Sequence, residues 1–342
     1  MTKLRVAING FGRIGRAFFK VARGREDMEV VAVNDLGDIN NLAYLLKYDT
    51  AYRVSNFDVK VKEDSTAFIV DGREIRYISE RDGAKLPWRD MNIDVVVEST
   101  GLFTSYTKSE FHLTAGAKRV VISAPSKDEP GDPTATMVLI GINEDKIAAS
   151  PITSNASCTT NAAAPFLAIL NSKIGIEKAL LNTVHGYTAS QALVDAPNKK
   201  DWREGRAAAM NIVPSSTGAA KAVGAVIPEL AGKFDGVSMR VPVVTGSIVD
   251  VTFIAKRDTS VEEVNNILSA AAGEEHWKKT FAVTSEELVS SDVIGMPQAS
   301  IVDLKFTRVI GNLVKVLAWY DNEIGYTNTL VEHVSKAGRY IE

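Results

Sequence analysis

The segment Asn9-Gly10-Phe11-Gly12-Arg13-Ile14-Gly15-Arg16 lies between an apolar run at residues 4–8 and a helical pattern at 14–22. Gly-x-Gly-x-x-Gly in this strand-to-helix context admits few folds. Gly10 permits a tight turn, Gly12 lets backbone approach a pyrophosphate, and Gly15 allows close helix packing, while the helix N-terminus offers N–H groups and a positive dipole. Residues 30–33 read as the next strand. Asp35 then follows Gly15 at the ~20-residue spacing at which an acid meets the adenosine ribose hydroxyls. A carboxylate there would repel a 2′-phosphate, so the pattern predicts NAD rather than NADP.

Further strands continue the parallel theme. Residues 94–98 and 120–123 are β-branched runs ending in polar residues, as buried parallel strands do when their carboxyl ends face a ligand crevice. Between the strand at 30–33 and the one at 94–98, residues 57–61, 67–70 and 74–77 alternate around Asp71-Gly72 and predict an antiparallel hairpin excursion. After about Pro151 the texture changes. Residues 247–255 and 313–320 alternate apolar and polar, and 301–306 is expected to pair with the latter through a turn at Gly311-Asn312. Helix starts are marked by Thr159-Thr160-Asn161, by Ser216-Thr217-Gly218 and by Thr259-Ser260 with Glu262 and Glu263. A last helix is expected at 327–341. With 342 residues the chain exceeds one ordinary core. The expected class is α/β: a Rossmann-type dinucleotide-binding domain with a second α+β catalytic domain built on a mostly antiparallel sheet.

Composition narrows the function classes. A net charge of −3 gives no general attraction to nucleic acid. One cysteine excludes an intrachain disulfide and a Cys-rich zinc site. The start runs into a strand-like segment without a signal-peptide pattern, and apolar runs such as 162–170 fall short of the ~18 residues of a membrane span. A cytoplasmic, membrane-free protein is expected.

That single cysteine, Cys158, stands in Ser154-Asn155-Ala156-Ser157-Cys158-Thr159-Thr160-Asn161, just before an apolar helix. A thiol at a helix N-terminus is expected to have a lowered pKa. The bland alternative, a small buried hydrophobe, is weakened by the hydroxyl and amide neighbours. A Cys nucleophile needs a base, and the candidates are His112, His185, His276 and His333. His185 is preferred, because an apolar strand gives way there to a small polar loop. The other three read as solvated helix surface.

These blocks, with His185-Gly-Tyr-Thr188, Ser216-Thr217-Gly218-Ala-Ala-Lys221, Arg240-Val-Pro and Trp319-Tyr-Asp-Asn322-Glu-Ile-Gly-Tyr326, resemble the phosphorylating, NAD-dependent glyceraldehyde-3-phosphate dehydrogenases over essentially the whole chain. The resemblance implies that Cys158 forms a hemithioacetal and then a thioester, with His185 activating it and taking the hydroxyl proton. It assigns Arg13 and Ile14 to the cofactor's phosphate loop, Asp35 to its ribose, Arg81 and Ser123 to the crevice and Asn322 to the nicotinamide amide. Ser157, Thr159, Thr188, Arg206, Thr217, Gly218 and Arg240 would hold the phosphate of glyceraldehyde 3-phosphate and the attacking inorganic phosphate. On the residues alone, Thr217-Gly218 opens a helix and suits an anion, whereas Arg240 also reads as an edge-strand charge and Arg206 as helix surface. A glycolytic homotetramer is implied, with an NAD-binding domain at 1–157 plus a C-terminal helix at 323–342, and a catalytic domain at 158–322. Departures from the family pattern are Ala162 and Ala163, which put local packing in doubt, and a long surface loop at 127–135. The nearest rival is erythrose-4-phosphate dehydrogenase, against which Asp35-Leu36 argues. A non-catalytic binding module would have lost Cys158 or His185.

Overall fold

The computed structural model describes residues 3–126, 128 and 135–341, so the expected loop at 127–135 lies almost wholly outside the described residues. The chain forms two compact units: Met1–Ala156 with Leu330–Glu342, and Ser157–Thr329.

Among the described residues the first unit carries a nine-stranded sheet in the order Ala135–Met137, Ile152–Ser154, Arg119–Ile122, Val95–Glu98, Leu4–Asn9, Met28–Asn34, Arg73–Ile78, Ala67–Val70, Val59–Val61. The first seven run parallel, and the last two add antiparallel. Continuous apolar runs form the centre because both faces are covered: Ala7, Ile8, Val95, Val96 and Val97 are fully buried. Asp71 and Gly72 turn at φ 47 and 78, the doubly left-handed geometry that joins twisted strands tightly. The hairpin is not an excursion, however. Arg73–Ile78 pairs parallel with Met28–Asn34 and extends the main sheet.

Register puts three polar residues side by side at the carboxyl ends of the central strands, Asn34, Asn9 and Glu98. Asn34 Nδ2 donates to Asn9 Oδ1 at 2.7 Å, and Asn9 Nδ2 to Glu98 Oε2 at 2.6 Å. The His112 ring completes the row, with Nε2 3.1 Å from Glu98 Oε2 and Nδ1 accepting from Trp88 Nε1 at 3.0 Å. The reading of His112 as solvated surface is thereby overturned: Trp88 and Glu98 satisfy both ring nitrogens in a fully buried site. His333 is fully buried too, whereas His276 is exposed.

The second unit is built on an eight-stranded, mostly antiparallel sheet. Its order is Val213–Ser216, Phe234–Val241, Ile176–Gly186, Ser247–Ala255, Leu313–Tyr320, Ser300–Asp303, Phe281–Thr284, with Arg308–Ile310 also on Leu313–Tyr320. The strand entering the Gly311 turn is therefore Arg308–Ile310, not 301–306. Ser300–Asp303 ends where the Asp303 carboxylate accepts from Lys305 N at 3.1 Å and Trp319 Nε1 at 3.1 Å, which starts a short 3-10 turn. Helix Cys158–Ile174 begins earlier than its apolar run, capped by Ser157 Oγ on Thr160 N at 3.0 Å. Ala162 and Ala163 within it are fully buried, so the small side chains sit in packed core. The final helix, Ile324–Gly338, starts on the Asp321 carboxylate, which accepts from Glu323 N and Ile324 N. By contacts, the chain returns to the first unit at Leu330, within this helix. The physical reason lies in the helix's opening turn, where a Cβ on Gly325 would stand 2.7 Å from the Gln298 carbonyl, a second-unit contact.

The glycine motif separates two kinds of constraint. A Cβ on Gly15 would stand 2.1 Å from Gly10 O, whereas one on Gly12 would meet nothing within 4 Å. Gly15→Ala should lower stability by about 1–3 kcal/mol through overpacking, read as a fall in Tm. Gly12→Ala should leave Tm unchanged, and equal Tm losses would contradict this division.

Candidate active site

In the first unit, helix Arg13–Ala22 opens at Gly12 with no side-chain cap. Gly10 adopts φ +94 and lies against Thr100, where a Cβ would come within 2.6 Å of backbone nitrogen. Phe11 N donates to Asp35 Oδ2 at 2.6 Å and Gly37 N to Asp35 Oδ1 at 2.8 Å, which pins the carboxylate beside the glycine turn. A cavity of about 340 Å³ is lined by Gly10, Gly12, Asp35 and Arg81 together with Asn9, Asn34, Glu80, Thr100 and Phe103. The space left open over Gly12, the uncapped helix and the fixed acid fit a dinucleotide's pyrophosphate and ribose. Arg13, Ile14 and Ser123 are outside that lining. Arg13 turns to Asp49 at 3.0 Å, and Ser123 N donates to Glu98 O at 2.9 Å just past its strand. Thr100 and Phe103 were missed in the sequence, although a strand ending in Glu98 followed by Ser99-Thr100-Gly101 carried the signal.

In the second unit, Cys158 is the first residue of its helix and His185 stands next to the end of strand Ile176–Gly186. Cys158 Sγ and His185 Nε2 are 3.4 Å apart. His185 Nδ1 lies 2.6 Å from the Gly186 carbonyl, which can only accept, so Nδ1 carries the proton and Nε2 faces the thiol as an acceptor. Parallel pairing sets Arg240 opposite His185. Its strand, Phe234–Val241, has neighbours on both sides, which removes the edge-strand reading. Arg240 Nε is buried without a hydrogen-bond partner among the described residues. A guanidinium held this way leaves a donor for an anion.

Electrostatics depart from the expected lowered thiol. Burial pushes Cys158 up, against the opposing pull of Arg240 and of the Thr159 hydroxyl and N–H. Burial, with Arg240 beside it, pushes His185 down to about 3. The pair thus rests as thiol and neutral imidazole, because desolvation penalises both charged forms.

The other candidates divide. Ser157 and Thr159 flank the thiol, Ser157 as the cap and Thr159 through a 3.1 Å hydrogen bond to the Tyr320 hydroxyl. Thr188, just beyond the strand of His185, hydrogen-bonds Ser190 at 3.0 Å. Thr217 Oγ1 accepts from Ala219 N at 3.2 Å at the start of helix Ala219–Val226, with Gly218 as its cap position. Arg206 is exposed and its Nε is engaged by Asp195 at 2.9 Å. Asn322 is fixed through Oδ1, which accepts from Thr245 Oγ1, Gly246 N and Ser247 Oγ at 2.9–3.1 Å. Tyr320 escaped sequence reasoning. Its hydroxyl also bonds Thr183 at 2.8 Å, and its place beside Asn322 in the Trp319-Tyr320-Asp321-Asn322 block was the available hint.

Comparison with known proteins agrees with this geometry. The model of the glyceraldehyde 3-phosphate dehydrogenase NAD binding domain matches residues 4–106, and that of the same enzymes' C-terminal domain matches 157–322. The glyceraldehyde-3-phosphate dehydrogenase of Mycobacterium avium is 48% identical across 98% of this chain and 99% of its own length. That of Clostridium pasteurianum is 47% identical across 97% of each. Glyceraldehyde-3-phosphate dehydrogenase B of Aspergillus oryzae is 46% identical across 96% of each. With both domains matched in order and a thiol–imidazole pair at the head of the second, the chain belongs to the glyceraldehyde-3-phosphate dehydrogenase family.

Proposed function

We propose that this protein oxidises D-glyceraldehyde 3-phosphate to 1,3-bisphosphoglycerate in glycolysis and gluconeogenesis, with NAD as cofactor and inorganic phosphate as second substrate. The observation that carries this is the 3.4 Å approach of Cys158 Sγ to an unprotonated His185 Nε2 beside Arg240. The relatives' names favour the triose substrate over erythrose 4-phosphate.

NAD, when bound, supplies the hydride acceptor. Gly10, Gly12, Arg13, Ile14, Gly15, Asp35, Arg81 and Ser123 are the residues that would hold it on the first unit; Asn322, in the second unit, has its Oδ1 already occupied, which leaves Nδ2 as the group that suits a carboxamide. Cys158 sulfur attacks the aldehyde carbon, and its proton passes through His185 to the carbonyl oxygen, giving the hemithioacetal. As that carbon is oxidised, His185 takes the hydroxyl proton and the thioester forms. A phosphate oxygen then attacks the thioester carbon, the C–S bond breaks, and His185 returns its proton to the sulfur. Ser157, Thr159, Thr188, Arg206, Thr217, Gly218 and Arg240 hold the substrate's phosphate and the incoming one; the spare donor on Arg240 supports this most directly.

Segment 193–212 exposes Leu193, Val194, Trp202, Met210 and Ile212, with Trp202 86% exposed. So much apolar surface on one segment marks an interface, and we assign it to a homotetramer. No helix among the described residues is long and apolar enough to cross a membrane. We read the protein as cytoplasmic, a compartment that keeps a nucleophilic free thiol reduced.

Steady-state NAD reduction should require phosphate or arsenate, because an oxyanion must displace the thioester; equal rates in phosphate-free buffer would sink the reading. His185→Asn should lower kcat by roughly 100- to 10,000-fold while NAD binding, followed by fluorescence, stays unchanged. Since His185 is pushed down to about 3, it remains a competent base as pH falls through 6.5. The acidic limb of kcat/KM should therefore lie below 6.5, and a limb at or above that value argues against the buried neutral base. Trp202→Glu should shift the light-scattering mass from four chains to fewer, and an unchanged mass would place the interface elsewhere.

A further inference from the structure

His333 is a buried titratable group that the chemistry above leaves unused. It lies in the final helix, Ile324–Gly338, fully buried, and both ring nitrogens are engaged. Nδ1 is 3.0 Å from Asn155 Oδ1, and Nε2 is 2.8 Å from Thr153 Oγ1. Thr153 is 2% exposed and Asn155 fully buried. Burial pushes the ring down to about 3, so it is neutral. With Asn155 Oδ1 accepting, Nδ1 carries the proton and Nε2 accepts from the Thr153 hydroxyl. The imidazole therefore has one tautomer and one orientation, a bridge from the last helix to two residues of another segment.

Those two residues lie on the approach to Cys158. Thr153 belongs to strand Ile152–Ser154, Asn155 follows it, and Ala156 adopts the left-handed φ of 56 before Ser157 caps the helix that starts at Cys158. A residue with a Cβ keeps that conformation only where its surroundings over-determine it. Backbone groups supply part of this: Asn155 N donates to Ile122 O at 2.9 Å, and Ala156 N to Ser154 Oγ at 3.1 Å. His333 grips the side chains on either side of Ser154. A shift of Asn155 would rotate the Ala156 turn, and with it the cap and the first helical residue.

We propose that His333 is a positioning residue for Cys158: by fixing Asn155 and Thr153 from the final helix it holds the left-handed turn at Ala156 and so directs the thiol toward His185. The proposal rests on Cys158 being the nucleophile.

The test compares kcat, KM for NAD, the rate of Cys158 alkylation by iodoacetamide and thermal unfolding in His333→Leu, His333→Asn and His333→Gln. In the leucine variant kcat and alkylation rate should both fall by roughly 10- to 100-fold, since small misplacements of a reacting group are that costly, with KM for NAD unchanged. Asparagine puts an N–H near the place of Nδ1 and should restore most of both rates. Glutamine reaches toward Thr153 instead and should not. Should the leucine variant fail to fold, the asparagine and glutamine pair carries the same contrast. Equal behaviour of those two, or parental rates in all three, overturns the proposal. Full activity in Cys158→Ser would instead sink the nucleophile reading itself, whereas dependence on Cys158 with indifference to His333 sinks only the positioning role.

Discussion

The hydroxyl of Tyr320 hydrogen-bonds both Thr159, on the helix that begins with Cys158, and Thr183, on the strand that carries His185. Because Tyr320 is 1% exposed, neither bond competes with bulk water. The helix start and the strand end are thereby tied to one rigid side chain, and the 3.4 Å approach of Cys158 to His185 follows from where those two elements stop. Burying this arrangement has an electrostatic consequence. The thiol is pushed up and the imidazole down, so the resting site holds a proton donor facing an acceptor, and Arg240 supplies the positive charge. That division leaves the imidazole an acceptor facing the thiol, beside a guanidinium whose Nε has no hydrogen-bond partner among the described residues.

The first unit solves a different problem with the same economy. A dinucleotide needs backbone exposed at a turn, so polar groups must collect at the carboxyl ends of strands whose interiors are wholly apolar. Parallel register aligns Asn34, Asn9 and Glu98 there, and the Glu98 carboxylate is met by donors from Asn9, Thr100 and His112. Trp88 and His112 extend the row into the core, with Trp88, a donor only, fixing the His112 tautomer. The glycine turn rests against this floor through the contact of Gly10 with Thr100.

Much of this was legible in the residues because the signals are local. The Gly10-to-Gly15 spacing, the acid at Asp35, the Asp71-Gly72 turn and the Ser260 cap all depend on chain neighbours, and helix Ala219–Val226 began where its cap residues indicated. What misled was exposure. His112 and His333 have charged or polar neighbours in sequence, yet both are fully buried, since a helix presents alternate faces and only packing decides which one meets a partner. The segment at 301–306 does pair with 313–320, but only through Ile301 and Val302, and it stops short of the Gly311 turn because Asp303 is claimed by Trp319 and Lys305, a contact no window of sequence displays.

By itself, then, the sequence determined where dinucleotide and thiol chemistry could reside, since turn glycines, caps and a lone cysteine before a helix act through backbone geometry within a few residues. Tertiary structure brought the preferred His185 to the thiol, and it alone decided that Arg240 lies on an interior strand and that both members of the pair rest uncharged. Those outcomes depend on strand order and desolvation, which are set by residues far apart in the chain: 27 positions separate Cys158 from His185, and 161 separate Thr159 from the tyrosine that holds it in place.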